Sequence, residues 1–315
     1  MWPFDGQAPS LWLALYLLTF ALHAVFVSYV LAGTAYALVS NDAIAERVRD
    51  RLPFMLGCGI TAGVAPLLFL QLLYQKQFYT ANLLMGPRWG AVVPALIAGF
   101  YALYLAKAHV RERVRRLALG LAAGCFLFVA WSWTELDQLM QDEPAWQAMY
   151  ASGRRIYGAA TIYPRLLLWL GAMATLFAIV AAWWSTGGER KRLAVIGLAG
   201  RAVSALAALW LWRAGGTVDA AAHGWGYLLV AALVAEAAGW IWLLRSPDSF
   251  ALSLVTGSGA AALLCATVVR EAPRLALLDP PRASAMEASG FALFAITAVV
   301  GVAAIAWIWR AISRA

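Results

Sequence analysis

Charge is what this sequence holds least of. Only 13% of its 315 residues are Asp, Glu, Lys or Arg, about half the usual share of a soluble domain. With 63% of the residues hydrophobic and a mean hydropathy of +0.73, the chain carries far more apolar surface than one soluble core could bury. A soluble globular protein is excluded, and the composition is that of an integral membrane protein. Long polar stretches are also missing, so no soluble domain fits and 1–315 reads as a single transmembrane domain. The net charge of +8 does not imply a nucleic-acid partner, because the basic residues come in short clusters between apolar runs rather than on one face or tail.

Cysteine and histidine are equally scarce, three of each. Cys58, Cys125 and Cys265 fall inside apolar segments with no metal-ligand spacing, which leaves no disulfide framework or cysteine metal site and makes them small core residues. Among His23, His109 and His223, no two share a helix face at helical spacing. The usual bis-histidine haem is therefore not encoded, and proton transport would need more acids or histidines than the interior holds. The first apolar run is too long, and lacks the basic leader and small-residue cleavage site, for a removable signal peptide.

What is abundant is apolar run. On the rule of roughly 20 residues per crossing, about nine spans are expected, near 10–39, 53–75, 89–107, 117–136, 163–184, 193–213, 222–244, 249–270 and 286–311. The fold class is all-α, a polytopic helical bundle. One set of loops holds the heavier share of Lys and Arg, including Arg47, Arg49 and Arg51, Arg111 to Arg116, and Arg190 to Arg192. The positive-inside rule then puts the N-terminus outside and the C-terminus in the cytoplasm. The expected location is a bacterial inner (cytoplasmic) membrane. Acids crowd the outer loop 137–162, the one loop with room for a short surface helix. Many tryptophans fall at span ends, as in interfacial belts.

Ionisable groups inside hydrocarbon are functional candidates. His23 sits in "LLTFALHAVFVSYVLAG", about 18 Å into the first span at the helical rise. Its neighbours at three, four and seven positions are Tyr16, Thr19, Phe20, Phe26, Val27 and Val30, an aromatic and β-branched face. An apolar slot with one imidazole suits an axial haem ligand. A neutral histidine bonded to a neighbouring helix is the plainer alternative. Arg201 and Glu236, on antiparallel neighbouring spans, are expected to form a buried pair. In the second span Gly59 and Gly63 offer a small-xxx-small face and Pro66 a kink, while Gln71 and Tyr74 add polar groups near its outer end. The tail "YQKQFYTANLLMGPRW" reads as an amphipathic outer loop or as the rim of a quinone or haem pocket.

These stretches resemble subunit I of the cytochrome bd-type quinol oxidases and their broader relatives. The resemblance is carried by "LHAVFV" around His23, by Gly59, Gly63, Gln71, Tyr79 and Gly86 in and after the second span, and by "WTELDQLMQDEPAW" after the fourth. It extends to "VVREAPR", where Glu271 corresponds to an acidic haem-site residue. It covers roughly 1–185 well, with 186–315 as additional C-terminal helices. It implies cofactor-binding roles for His23, Gln71 and Glu271, with His23 the candidate haem-iron ligand; His223, at the outer end of the seventh span, is by position either a cap on a cofactor near the outer surface or an interfacial anchor. It also implies one haem b or a quinone, and a place in a respiratory electron-transfer complex. Partners would be other membrane subunits and an outer-side c-type cytochrome or iron–sulfur protein, within the lipid bilayer. The third span "GAVVPALIAGFYALYLAKA" lacks the family's acids, Leu168 stands near the expected fifth-span histidine, and the quinol loop shrinks to "RAGGTVDAAAHG". Oxygen reduction is therefore not expected. A haem-free scaffold subunit remains the second reading, and a small-solute transporter the third.

Overall fold

A computed structural model describes residues 10–108, 111–215 and 224–278, together with 296, 299 and 300. All regular structure among the described residues is helical. In chain order it comprises α1 (Ser10–Val39), α2 (Ala43–Leu73), α3 (Gln75–Met85), α4 (Pro87–Gly90), α5 (Val92–Lys107) and α6 (Glu112–Leu139). There follow α7 (Glu143–Ser152), α8 (Ile162–Ala182), α9 (Gly187–Arg213), α10 (Gly224–Arg245) and α11 (Ser249–Glu271), with a 3-10 turn over Ala272–Leu277. Eight stretches are long and apolar enough to cross a membrane: α1, α2, α4 with α5, α6, α8, α9, α10, and α11 with its 3-10 turn. The chain is a multi-pass membrane protein. The ninth expected span, 286–311, lies outside the described residues but for 296, 299 and 300, as do His109 and His223.

Two boundaries differ from the sequence reading. The second span begins at Ala43, ten residues before the apolar run, because Asp42 caps it: the Asp42 carboxylate accepts from the Ala45 amide at 2.8 Å. Ile44, Ala45, Val48 and Leu52 are buried while the intervening arginines stay at least partly exposed, so these added turns, nearly three at about 3.6 residues each, are amphipathic and a hydropathy window passes over them. The tail after that span is not a loop but the helix α3, with Gln77, Phe78, Ala81, Leu84 and Met85 buried. Gly86 ends it with φ of +55°, a left-handed value that favours glycine. The short helix expected within 137–162 is α7.

Helices pack chiefly as sequential pairs, α1 on α2, α5 on α6, α8 on α9 and α10 on α11. The first helix also touches α6, α8 and α11 and so lies at the centre. Van der Waals fit and interhelical hydrogen bonds must hold such a bundle together, because lipid tails are as apolar as the side chains. The α8–α9 contact is made by backbone. A Cβ on Gly171 would lie 2.6 Å from the Gly200 carbonyl oxygen, and one on Gly200 would lie 2.6 Å from that of Gly171. On either side of this point Thr175 donates to the Gly197 carbonyl at 3.0 Å and Ser204 to the Leu168 carbonyl at 3.1 Å.

Buried apolar residues form two clusters. The larger runs through the spans, around Tyr29, Leu52, Leu103, Phe177 and Trp240. The smaller gathers Leu13, Tyr16, Leu73, Phe78, Met85, Leu136, Leu139 and Met149 at one end of the bundle, where α3, α4 and α7 close over the spans. That end, which carries the start of α1, is called the cap end. At the opposite end lie Arg47, Arg51, Arg190 and Arg192. There Arg192 pairs with Asp42, Arg47 with Glu189 at 2.8 Å, and Arg51 lies over the Trp184 ring at 4.5 Å.

Candidate functional site

His23 projects from the middle of α1 onto α2. Its Nδ1 lies 2.9 Å from the carbonyl oxygen of Gly59. A carbonyl can only accept, so Nδ1 carries the proton and Nε2 keeps its lone pair. The ring occupies a notch that exists because residue 63 has no side chain: a Cβ there would lie 2.7 Å from His23 Cε1. The small-xxx-small face of α2 is thus used twice, Gly59 meeting Phe26 and Val27 of α1 and Gly63 admitting the imidazole. His23 is half-buried, and its Nε2 has no hydrogen-bond partner among the described residues.

A turn closer to the cap end, Phe20 packs edge-on to Trp169 of α8 with centroids 6.0 Å apart, and tilts against Tyr16 at 6.1 Å. The Arg270 guanidinium lies over both Phe20 and Trp169, at 4.5 and 5.7 Å. This aromatic wall leads from the level of His23 to a knot of charges at the ends of α6, α8 and α11. Asp137, of α6, pairs with Arg270 of α11 and with Arg274 of the 3-10 turn, and lies 3.6 Å from Arg165 of α8. Glu271, the last residue of α11, is fully buried and lies 3.3 Å from Arg274 and 3.8 Å from Arg270. The Tyr16 hydroxyl accepts from Arg270 at 3.3 Å and from Arg274 at 3.5 Å.

Around the knot, the cap is tied down by its own polar contacts. Buried Glu135 pairs with Arg88 and accepts the Tyr157 main-chain N–H at 2.5 Å, which holds the segment 153–161 against α6. The Tyr157 hydroxyl donates to Asp142 at 2.6 Å; burial first, and then that carboxylate, push the phenol above its ordinary value. Gln77 donates to the Leu277 carbonyl at 3.3 Å, joining α3 to the 3-10 turn. Trp89 bridges Phe78 and Trp133 at 6.3 Å from each.

Of the sequence candidates, Glu271 lies within this knot and His23 deeper in the bundle beside α2. Gln71 is half-buried in the last turn of α2, and its amide makes no hydrogen bond among the described residues; the glutamine tied into the cap is Gln77. His223 lies outside the described residues. Arg201 and Glu236 pair as expected: one guanidinium nitrogen spans the carboxylate at 2.9 and 2.7 Å, and Trp240 Nε1 donates to the same carboxylate at 3.1 Å. Asp137, Arg165, Arg270 and Arg274 were not sequence candidates. The signal available was four charges at the ends of three spans that alternate in direction, which brings them to one end of the bundle. No group of three or more His, Cys, Asp and Glu able to hold a bare metal ion occurs among the described residues. No family model matches the chain, and no curated protein matches it significantly.

Proposed function

We propose that this chain is the membrane subunit of a respiratory electron-transfer complex, similar to subunit I of the bd-type oxidases, with the cap end on the outer side and a single b-type haem held by His23. The observation that carries this reading is the tautomer of His23. A histidine that ligates iron nearly always donates its other ring nitrogen to a carbonyl or carboxylate, which fixes the ring and leaves the ligating lone pair in place. His23 has that arrangement, with Gly59 as acceptor and Nε2 unpartnered. Phe20, Tyr16 and Trp169 supply the apolar, aromatic surroundings a macrocycle needs. A haem there would contribute one-electron transfer. The chain's own residues hold and orient the imidazole, exclude water through the cap, and present the exposed Tyr79 of α3 to an outer-side cytochrome or iron–sulfur partner. A quinone is the alternative redox group at the same cap.

The second reading, a haem-free scaffold for partner subunits, is favoured by the same ring's fit into the Gly63 notch, since an imidazole bonded to a carbonyl is also a sufficient helix-packing device. A reduced-minus-oxidised spectrum of the purified protein separates the two. The expected result is a b-type haem band in the wild type that is lost in His23→Ala. Absence of any band in the wild type leaves the scaffold, and a band that survives the substitution removes His23 as the ligand.

A further inference from the structure

Among the described residues, the knot at the cap end does not balance. Three guanidiniums, of Arg165, Arg270 and Arg274, face two carboxylates, of Asp137 and Glu271, and the side chains are between 0 and 22% exposed. Nearby acids are already committed: Glu135 serves Arg88 and the Tyr157 amide, and Asp142 serves Tyr157 and the α7 N-terminus. An excess positive charge withdrawn from water is strongly destabilising unless something negative meets it.

The hydrogen bonds are incomplete at the same place. Arg165 Nε and Arg274 Nε are buried with no hydrogen-bond partner among the described residues, while the Tyr74 hydroxyl lies beside the Glu271 carboxylate. Both nitrogens are guanidinium donors, able to give a hydrogen bond to an incoming group. Water would satisfy them but leave the charge. A carboxylate or halide answers both needs.

We propose that the cap-end knot is a binding site for a small monovalent anion, entering from the side of Arg165. Arg165 is the most exposed of the five, at 22% of its side chain, and its only ion pair within the knot is the long contact to Asp137. Arg274, at 1%, forms the floor. The anion is either free in solution or the carboxylate of a larger molecule lying along the Phe20–Trp169 wall. The site stands whether or not His23 binds haem.

The test is thermal unfolding of the full-length protein in detergent, titrated separately with sodium chloride and sodium acetate, with ionic strength held by a bulky sulfonate. The expected result is a saturable rise in Tm of several degrees in the wild type. Its midpoint should move at least tenfold higher in Arg165→Gln and stay unchanged in Arg154→Gln, an exposed arginine of the same cap. Arg165→Lys, which keeps the charge and loses the Nε donor, should fall between them, and serves if the glutamine variant does not fold. If the carboxylate belongs to a co-purified molecule, titration is flat, but mass spectrometry of the extract finds an acidic compound that is missing from Arg165→Gln preparations. A flat titration with no such compound overturns the proposal. So does a response that Arg165→Gln retains, or one that appears only in Asp279→Asn, since the missing counter-charge would then be the chain's own carboxylate just past Leu278.

Discussion

Two buried ionic sites in this molecule are built on opposite plans. Arg201 and Glu236, in the middle of α9 and α10, are one cation and one anion. The carboxylate is fully buried, takes its guanidinium twice and accepts from Trp240, so the charges balance although Arg201 Nε has no hydrogen-bond partner among the described residues. Among the described residues, the knot at the cap end has more cation than anion, and two of its guanidinium nitrogens are unmet. A closed pair of the first kind fixes how two helices sit against each other. An open set of the second kind has capacity left for something else.

The sharpest way to break the comparison is to unpair the closed site. Glu236→Leu leaves the Arg201 guanidinium buried among lipid-facing helices without its acceptor, and the expected loss is about 3–5 kcal/mol. Adding Arg201→Met should return most of it, because an apolar pair removes the desolvation cost along with the attraction. Unfolding in mixed micelles measures both variants. Equal losses in the single and double variants would mean that the two side chains are not energetically coupled. Neither variant should alter the response of the protein to chloride or acetate.

At the open site the expected loss is smaller and can be rescued. Asp137→Asn removes the carboxylate that Arg270 and Arg274 share, and should cost about 2–4 kcal/mol in anion-poor buffer. A saturating anion should restore a larger part of the stability than it adds to the wild type, since the excess charge has doubled. The same titration applied to the Glu236 variants gives the control, and a similar rescue there would erase the distinction between the sites.

A packing test comes next, about 1–3 kcal/mol in size. Gly63→Ala places a methyl 2.7 Å from the His23 ring and must push it off the Gly59 carbonyl. If the notch serves the imidazole, the double variant Gly63→Ala/His23→Ala loses less than the sum of the single losses. Strict additivity would separate the notch from the ring.

Much of this architecture was legible in the sequence, for reasons that differ by element. Spans could be found because the need for some twenty apolar residues is local, and eight of the expected segments are helices in the described structure. The Arg201–Glu236 pair could be anticipated because adjacent antiparallel spans place their midpoints side by side. The amphipathic start of α2 and the helix α3 escaped detection because their burial comes from one face only, which an average over all faces dilutes. The knot escaped for a different reason. Arg165, Arg270 and Arg274 each look like loop charges at a span end, and only the packing of α6, α8 and α11 around α1 turns three surface positions into one buried cluster. His23 was legible as a candidate, but the Gly59 acceptor that fixes its tautomer lies 36 residues away and needed the helix register.

The smallest expected effect lies at the opposite end of the bundle and depends on pH. Asp42 caps α2, accepts the Tyr36 hydroxyl at 2.6 Å and pairs with Arg192. Partial burial works against its ionisation, but the phenol, the Ala45 amide and the guanidinium outweigh it and hold the carboxyl below its ordinary value. A carboxylate depressed in the folded state contributes stability that is fully present above its unfolded pKa of about 3.9, and that fades as pH falls through the lower folded value. Asp42→Ala should therefore cost about 1 kcal/mol near neutrality, the worth of a lost cap, and progressively less below pH 4. Asp42→Asn keeps the cap and loses only the charge, so it should remain closer to wild type. The pair Arg192 and Asp42 is far from the knot, and neither variant should shift the anion midpoint. A shift there would tie the two ends of the bundle together through the spans that reach both, among them α1, α2 and α8.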